Sequence, residues 1–184
     1  ASFCDINNNG HLDLVLAKAT GTSVRLNSGT GVLTQAIPID NTTETSGMRV
    51  FDHNGDGVQD VLVLPANPAG TPELFKGTLD AGGLFFAPVT AAIGLDWPGK
   101  VGGSVVADFN ADGDLDLFLG KTAVDVSNFF TAAGVEPTVD GNLQNWVRVA
   151  LKSDVGGPNN YMGIGAMITV TQGADKYCRV VDGG

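Results

Sequence analysis

The chain has 184 residues, 26 of them glycine and only 16% charged, a composition that excludes coiled coils and long helical bundles. Its formal charge of −10 has the wrong sign for a phosphate backbone, so no nucleic-acid partner is expected. No apolar run approaches the roughly 20 residues of a membrane-crossing helix, so no membrane span is expected. The acids are unevenly chosen: seventeen are Asp and three are Glu (Glu44, Glu73, Glu136), a bias that suits tight turns and oxygen-donor loops rather than solvated helix faces.

The chain opens at Ala1 with no initiator Met, basic region or apolar leader, and reads as a processed mature chain or a fragment. Its two cysteines, Cys4 and Cys178, stand near opposite ends without the spacing of a zinc or redox motif. In an exported chain they are expected to oxidise, within one molecule or between neighbours.

Three copies of one motif follow in order: DINNNGHLDL from Asp5, DHNGDGVQDV from Asp52 and DFNADGDLDL from Asp108. Each has Asp at position 1, Asn at 3, Asp or Asn at 5, Gly at 6 and Asp at 9, and each runs into an apolar stretch. Short oxygen-bearing side chains at alternate positions converge as the chain curls, a position-7 carbonyl adds a ligand and the position-9 carboxylate closes the cage, a donor set suited to calcium. Gly10, Gly57 and Gly113 are expected to supply the positive φ of the curl. The expected ligands are Asp5, Asn7, Asn9, the His11 carbonyl and Asp13 in the first loop, and Asp52, Asn54, Asp56, the Val58 carbonyl and Asp60 in the second. In the third they are Asp108, Asn110, Asp112, the Asp114 carbonyl and Asp116, so up to three calcium ions are expected. Position 12, which an EF-hand fills with an acid, is Leu16, Val63 or Leu119, and the EF-hand reading fails.

Between the motifs the sequence predicts short strands. In the second unit they are 47–51, 60–64, 73–76 and 84–89, with a hairpin turn at 80–83; four strands in about fifty residues is the pattern of a propeller blade. The third unit begins at Gly102 and is clear to Gly120, while 124–130 is left open. The first loop starts at Asp5, which leaves no room for the strand that precedes the loop in the other units.

These motifs, with stretches such as VGGSVVADFNADGDLDLFLG, resemble the FG-GAP/VCBS repeats of integrin-type β-propellers, a resemblance covering about residues 3–121. It implies calcium-binding loops and an extracellular location, secreted or at the cell surface. From Asn145 the text changes: NWVRVALKSDVGGPNNYMGIGAMITVTQGADKYCRVVDGG is similar to the start of the ASPIC/UnbV module of cartilage-acidic-protein-like secreted proteins. That resemblance implies strands opening at Asn145–Trp146, after Gly163, Gly165 and Ala166, and over 176–181.

The expected architecture is all-β: a partial propeller of three repeats over 1–123, a connector over 124–144 and a small β-module over 145–184. Catalysis is not expected, because both histidines (His11 and His53) lie inside the loops and no hydrolase, nucleotide or metalloprotease signature is present. Asn41 opens a glycosylation sequon, Trp97 is expected to cap a propeller face and Trp146 to lie in a core. The expected role is structural or adhesive, with self-association into an oligomer or filament through strand edges, since propellers need at least four blades to close. A ligand-binding propeller recognising protein or carbohydrate, or a noncatalytic module of a larger exported enzyme, are the alternatives.

Overall fold

A computed structural model describes residues 1–40, 44–67, 69–91, 95, 101–109, 115–121, 128–130, 167–172 and 175–180. Among the described residues there is no helix, and every sheet is antiparallel. The first unit is a four-stranded meander of β1 (Ser2–Cys4), β2 (Asp13–Lys18), β3 (Gly21–Asn27) and β4 (Leu33–Asp40). The second repeats it with β5 (Thr45–Phe51), β6 (Asp60–Pro65), β7 (Glu73–Asp80) and β8 (Gly83–Pro88). The third comprises β9 (Val101–Ala107), β10 (Asp116–Lys121) and β11 (Asn128–Phe130), and a hairpin of β12 (Met167–Gln172) and β13 (Asp175–Val180) follows.

Two expectations need correction. The strand thought to be missing from the first unit is present: Ser2, Phe3 and Cys4 pair with Val15, Leu14 and Asp13. Three residues suffice because the ladder needs to cover only the start of β2. The third strand of the second unit also runs four residues further than Lys76, to Asp80. Gly77 looks like a breaker in the text, yet the strand passes through it, and glycine is required there because a Cβ would collide with the Gln59 carbonyl oxygen. The absence of a side chain lets β7 lie against the end of the 52–60 loop.

The three sheets pack face to face, and the period-2 alternation of β6 shows how. Val61 and Val63 join Val15, Val24, Ile39 and Ile6 in a core between the first and second sheets. Leu62 and Leu64 point the other way, into a core with Leu117, Leu119, Val101 and Leu95. Every residue of β6 is accordingly buried, whereas β2 alternates buried and half-buried. At about 25 cal/mol per Å² of apolar surface, this double-sided burial makes the second sheet the principal source of cohesion. The outward face of the first sheet carries half-buried Leu14 and Leu16 beside Phe3, which is 62% exposed. On the far face of the third sheet Val105, 51% exposed, stands opposite Phe118.

The first strands of successive units are neighbours, β1 beside β5 and β5 beside β9. They are joined by side chains rather than by ladders. Arg49 on β5 donates through Nε and Nη2 to the Ser104 carbonyl on β9, at 3.0 and 2.9 Å. Cys4 is half-buried against the core shared with the second sheet, and Cys178 falls on β13 opposite Thr169 with its side chain outside the described residues. Asn41, Trp97, the 124–127 stretch and Trp146 also lie outside the described residues. The two C-terminal strands expected after Ala166 and near Lys176 are β12 and β13.

One end of the first seam carries an electrostatic cost. Burial raises the Glu73 carboxyl above its ordinary 4.5, and the charge of Asp40 raises it further. A carboxylate whose folded pKa is raised is disfavoured when ionised, so its contribution is most favourable below 4.5 and is lost as pH rises through the raised folded value. Glu73→Gln should therefore raise the melting temperature near neutral pH and give no gain below the carboxylate range, which thermal scans across pH will measure.

Candidate metal loops

Loops 5–13 and 52–60 fold on one hydrogen-bond scheme. The position-1 carboxylate accepts from the position-6 glycine, Gly10 N to Asp5 Oδ2 and Gly57 N to Asp52 Oδ2, both at 2.8 Å. The position-3 amide oxygen accepts from position 5, Asn9 N to Asn7 Oδ1 and Asp56 N to Asn54 Oδ1, both at 3.3 Å. Position 5 in turn accepts from position 7, His11 N to Asn9 Oδ1 and Val58 N to Asp56 Oδ1, both at 2.9 Å. Side-chain oxygens at three alternate positions thus accept from the three successive backbone amides of positions 5, 6 and 7, the turn chemistry that Asp and Asn are chosen for.

Positive φ occurs twice in each loop. Gly10 and Gly57 adopt φ of 87° and 86°, as their sequence positions predict, and position 4 does so as well, with Asn8 at 55° and Gly55 at 69°. Asn8 is the only non-glycine residue with positive φ among those described, and Asn is among the few side chains that tolerate it. It also ties the two loops together, because its Nδ2 donates to the Gly57 carbonyl at 2.6 Å.

The position-9 aspartates sit beneath the loops, and Asp13, Asp60 and Asp116 are all fully buried. Each accepts the position-2 amide: Ile6 N to Asp13 Oδ2 at 3.0 Å, His53 N to Asp60 Oδ2 at 2.7 Å and Phe109 N to Asp116 Oδ2 at 2.9 Å. In the first two units the other oxygen reaches the third strand, accepting from Asn27 N at 2.7 Å and from Gly77 N at 2.8 Å. His53 Nδ1 also meets Asp60 Oδ2, and that imidazole is 8% exposed. Burial raises the Asp13 carboxyl above its ordinary range; the Asn27 and Ile6 amides pull it down, and the Asp5 charge pushes it up again. The loop therefore gathers negative charge where solvent screens it poorly.

The oxygens differ in how far they are already engaged. Asp56 Oδ2 accepts from Asn54 Nδ2 at 3.0 Å and faces Lys76 Nζ at 3.4 Å. Among the described residues no three acid, imidazole or thiol groups converge on one metal position. The first loop has only two carboxylates to offer, with amide oxygens from Asn7 and Asn9 beside them. The donor set of both loops is nevertheless entirely hard oxygen, which fits calcium and excludes a thiolate-seeking metal. In the third loop Asp108 and Asp116 are described, whereas Asn110, Asp112 and Asp114 lie outside the described residues, as does Gly113.

The sequence reading missed the strand amides at Asn27 and Gly77, the loop-to-loop contact of Asn8 and the cation at Lys76. Only the position-4 pair carried a local signal, since Asn and Gly at one repeat position point to left-handed backbone. The scheme separates two kinds of aspartate. In excess chelator, Asp60→Asn places an amide where two backbone donors need an acceptor, and should lower unfolding free energy by about 1–3 kcal/mol in urea titration. Asp56→Asn, at an exposed position, should change it by less than about 0.5 kcal/mol under the same conditions.

The geometry has counterparts in sequence comparison. A family model described as an FG-GAP-like repeat matches residues 5–63 and again 52–119, each match starting at a position-1 aspartate and including the buried position-9 aspartate of that loop. No curated protein matches the chain. The two matches together span more than half of the 184 residues, and the chain belongs to the FG-GAP-like repeat family.

Proposed function

We propose that this chain is a calcium-rigidified, extracellular building block of the β-propeller type, with a structural or adhesive role and no catalytic one. The observation that supports the reading is the shared hydrogen-bond scheme of the first two loops, in which the side-chain oxygens of positions 1, 3 and 5 accept from the loop's own amides and the loop closes on a buried position-9 carboxylate. Asp5, Asn7, Asn9, Asp13 and the His11 carbonyl would hold one ion; Asp52, Asn54, Asp56, Asp60 and the Val58 carbonyl would hold another. Asp108, Asn110, Asp112, Asp116 and the Asp114 carbonyl form the third set. Bound calcium supplies the positive charge that the clustered carboxylates lack. Carboxylates brought to about 4 Å repel by roughly 4 kcal/mol per pair at an effective dielectric near 20. In the non-catalytic reading, the Asp60–His53 pair serves loop closure, since Asp60 also accepts two backbone amides.

Secretion or surface display accords with the repeat family and with the skew toward Asp, and no helix among the described residues is long and apolar enough to cross a membrane. We further assign the repeats to the VCBS-like branch, and β12 and β13 to an ASPIC/UnbV-like module. For self-association, the half-buried Leu14 and Leu16 with Phe3 on one outer sheet face, and Val105 opposite Phe118 on the other, favour head-to-tail stacking of sheet faces. The corrected first unit removes the case for a donated strand there. Head-to-tail contacts are heterologous and close into rings or extend as filaments.

Calcium titration by calorimetry, with thermal unfolding in chelator, tests the metal reading. Chelator should lower the melting temperature, and the first loop, with two carboxylates against three in the second, should empty first; an unchanged melting temperature would count against calcium. Sedimentation at rising concentration tests assembly, with species larger than the monomer expected in calcium and a monomer throughout counting against it.

A further inference from the structure

The seam between the second and third sheets is not packed along its whole length. Near the starts of β5 and β9 it opens into a cavity of about 370 Å³, within the range of small-molecule sites. Small residues make the gap: Gly47 on β5, and Gly102 with Ser104 on β9, line it where larger side chains would have met. Its apolar wall is Leu64 and Val101, 5% and 2% exposed.

Of the three polar side chains that line the cavity, Ser46 donates its hydroxyl to the Leu64 and Pro65 carbonyls, and the other two give the cavity its character. Ser104 is 4% exposed, and its hydroxyl has no hydrogen-bond partner among the described residues, an expensive arrangement for a buried donor. Arg49 also lines the cavity and spends Nε and one Nη2 hydrogen on the Ser104 carbonyl, which leaves Nη1 and the second Nη2 hydrogen to donate. Among the described residues no acidic side chain lines the cavity, although the chain as a whole carries a charge of −10. A guanidinium anchored by two bonds and a buried unpaired hydroxyl, next to an aliphatic wall, form a donor-rich corner with an apolar side.

We propose that this cavity binds a small carboxylate with a short aliphatic body, its oxygens taking hydrogen bonds from Arg49 and the Ser104 hydroxyl and its alkyl part lying against Leu64 and Val101. Pairing a carboxylate with a pre-anchored guanidinium is the strong form of hydrogen bond, and the fixed side chain loses little further freedom. The carboxylate can belong to a free organic acid or to a peptide C-terminus, which present the same chemistry.

Titration of the calcium-saturated 184-residue chain with pentanoate, followed at the Leu64 and Val101 methyl resonances, tests this. Pentanoate should bind saturably, while pentanamide, equal in shape and uncharged, should bind at least about tenfold more weakly, as should pentanoate to Arg49→Gln. Gly47→Val narrows the cavity, since Gly47 lines it and a Cβ there meets only Leu64 Cδ1 at an ordinary 3.5 Å, and should weaken binding strongly. Ser104→Ala, which leaves the backbone clamp intact, should weaken it several-fold and covers the case in which Gly47→Val fails to fold. A peptide ending in valine with a free carboxyl, compared with its C-terminal amide, separates the two sources: tighter binding than pentanoate assigns the site to peptide termini, and weaker binding to free acids. Equal binding of pentanoate and pentanamide, or unchanged binding in Ser104→Ala and Gly47→Val, would overturn the proposal.

Discussion

The repeat depends on one buried carboxylate used twice. Asp60, fully buried, takes the His53 amide through one oxygen and the Gly77 amide through the other. The first bond closes the loop on itself and the second fastens it to the third strand of the same sheet. Charge-assisted bonds of this kind offset the cost of burying the carboxylate, which is why an acid can stand at the head of a strand buried on both faces. Asp13 performs the same double task with Ile6 and Asn27, so two units share not just a motif but a closure.

That closure sets what the rest of the loop can do. With the ends of the nine-residue segment fixed, Asn8 and Gly55 take the left-handed turn at position 4, and the following amides point at the oxygens of positions 3 and 5. These bonds hold the side-chain oxygens of each loop in fixed orientations. The cost is concentrated negative charge under poor screening, seen in the raised carboxyl of Asp13. The two loops relieve this differently: the first substitutes neutral Asn9 for an acid, and the second places Lys76 beside Asp56.

Strand alternation then turns single units into a stack. Because β6 shows valines to one neighbour and leucines to the other, the second sheet cannot bury its surface without both. The clamp from Arg49 to Ser104 crosses the seam where the strands do not share a ladder, and the cavity lies beside it because glycines and serines occupy the facing positions. Cohesion and a prospective binding site thus arise from neighbouring stretches of the same seam.

The sequence by itself determined the all-β class, the threefold motif, the start of each apolar strand and the glycine turns at Gly10 and Gly57, because these follow from local spacing and from which residues tolerate positive φ. Which Asp and Asn side chains crowd each loop was legible for the same reason, since the Asx bonds they make act over two to five residues. Only the tertiary structure decided that Ser2–Cys4 is a strand, that β7 continues through Gly77, and that Asn27, Gly77, Asn8 and Lys76 belong to the loops. Each of these rests on a partner in another strand or another unit, between about ten and fifty residues away, and no local pattern encodes a contact whose other half is supplied by packing.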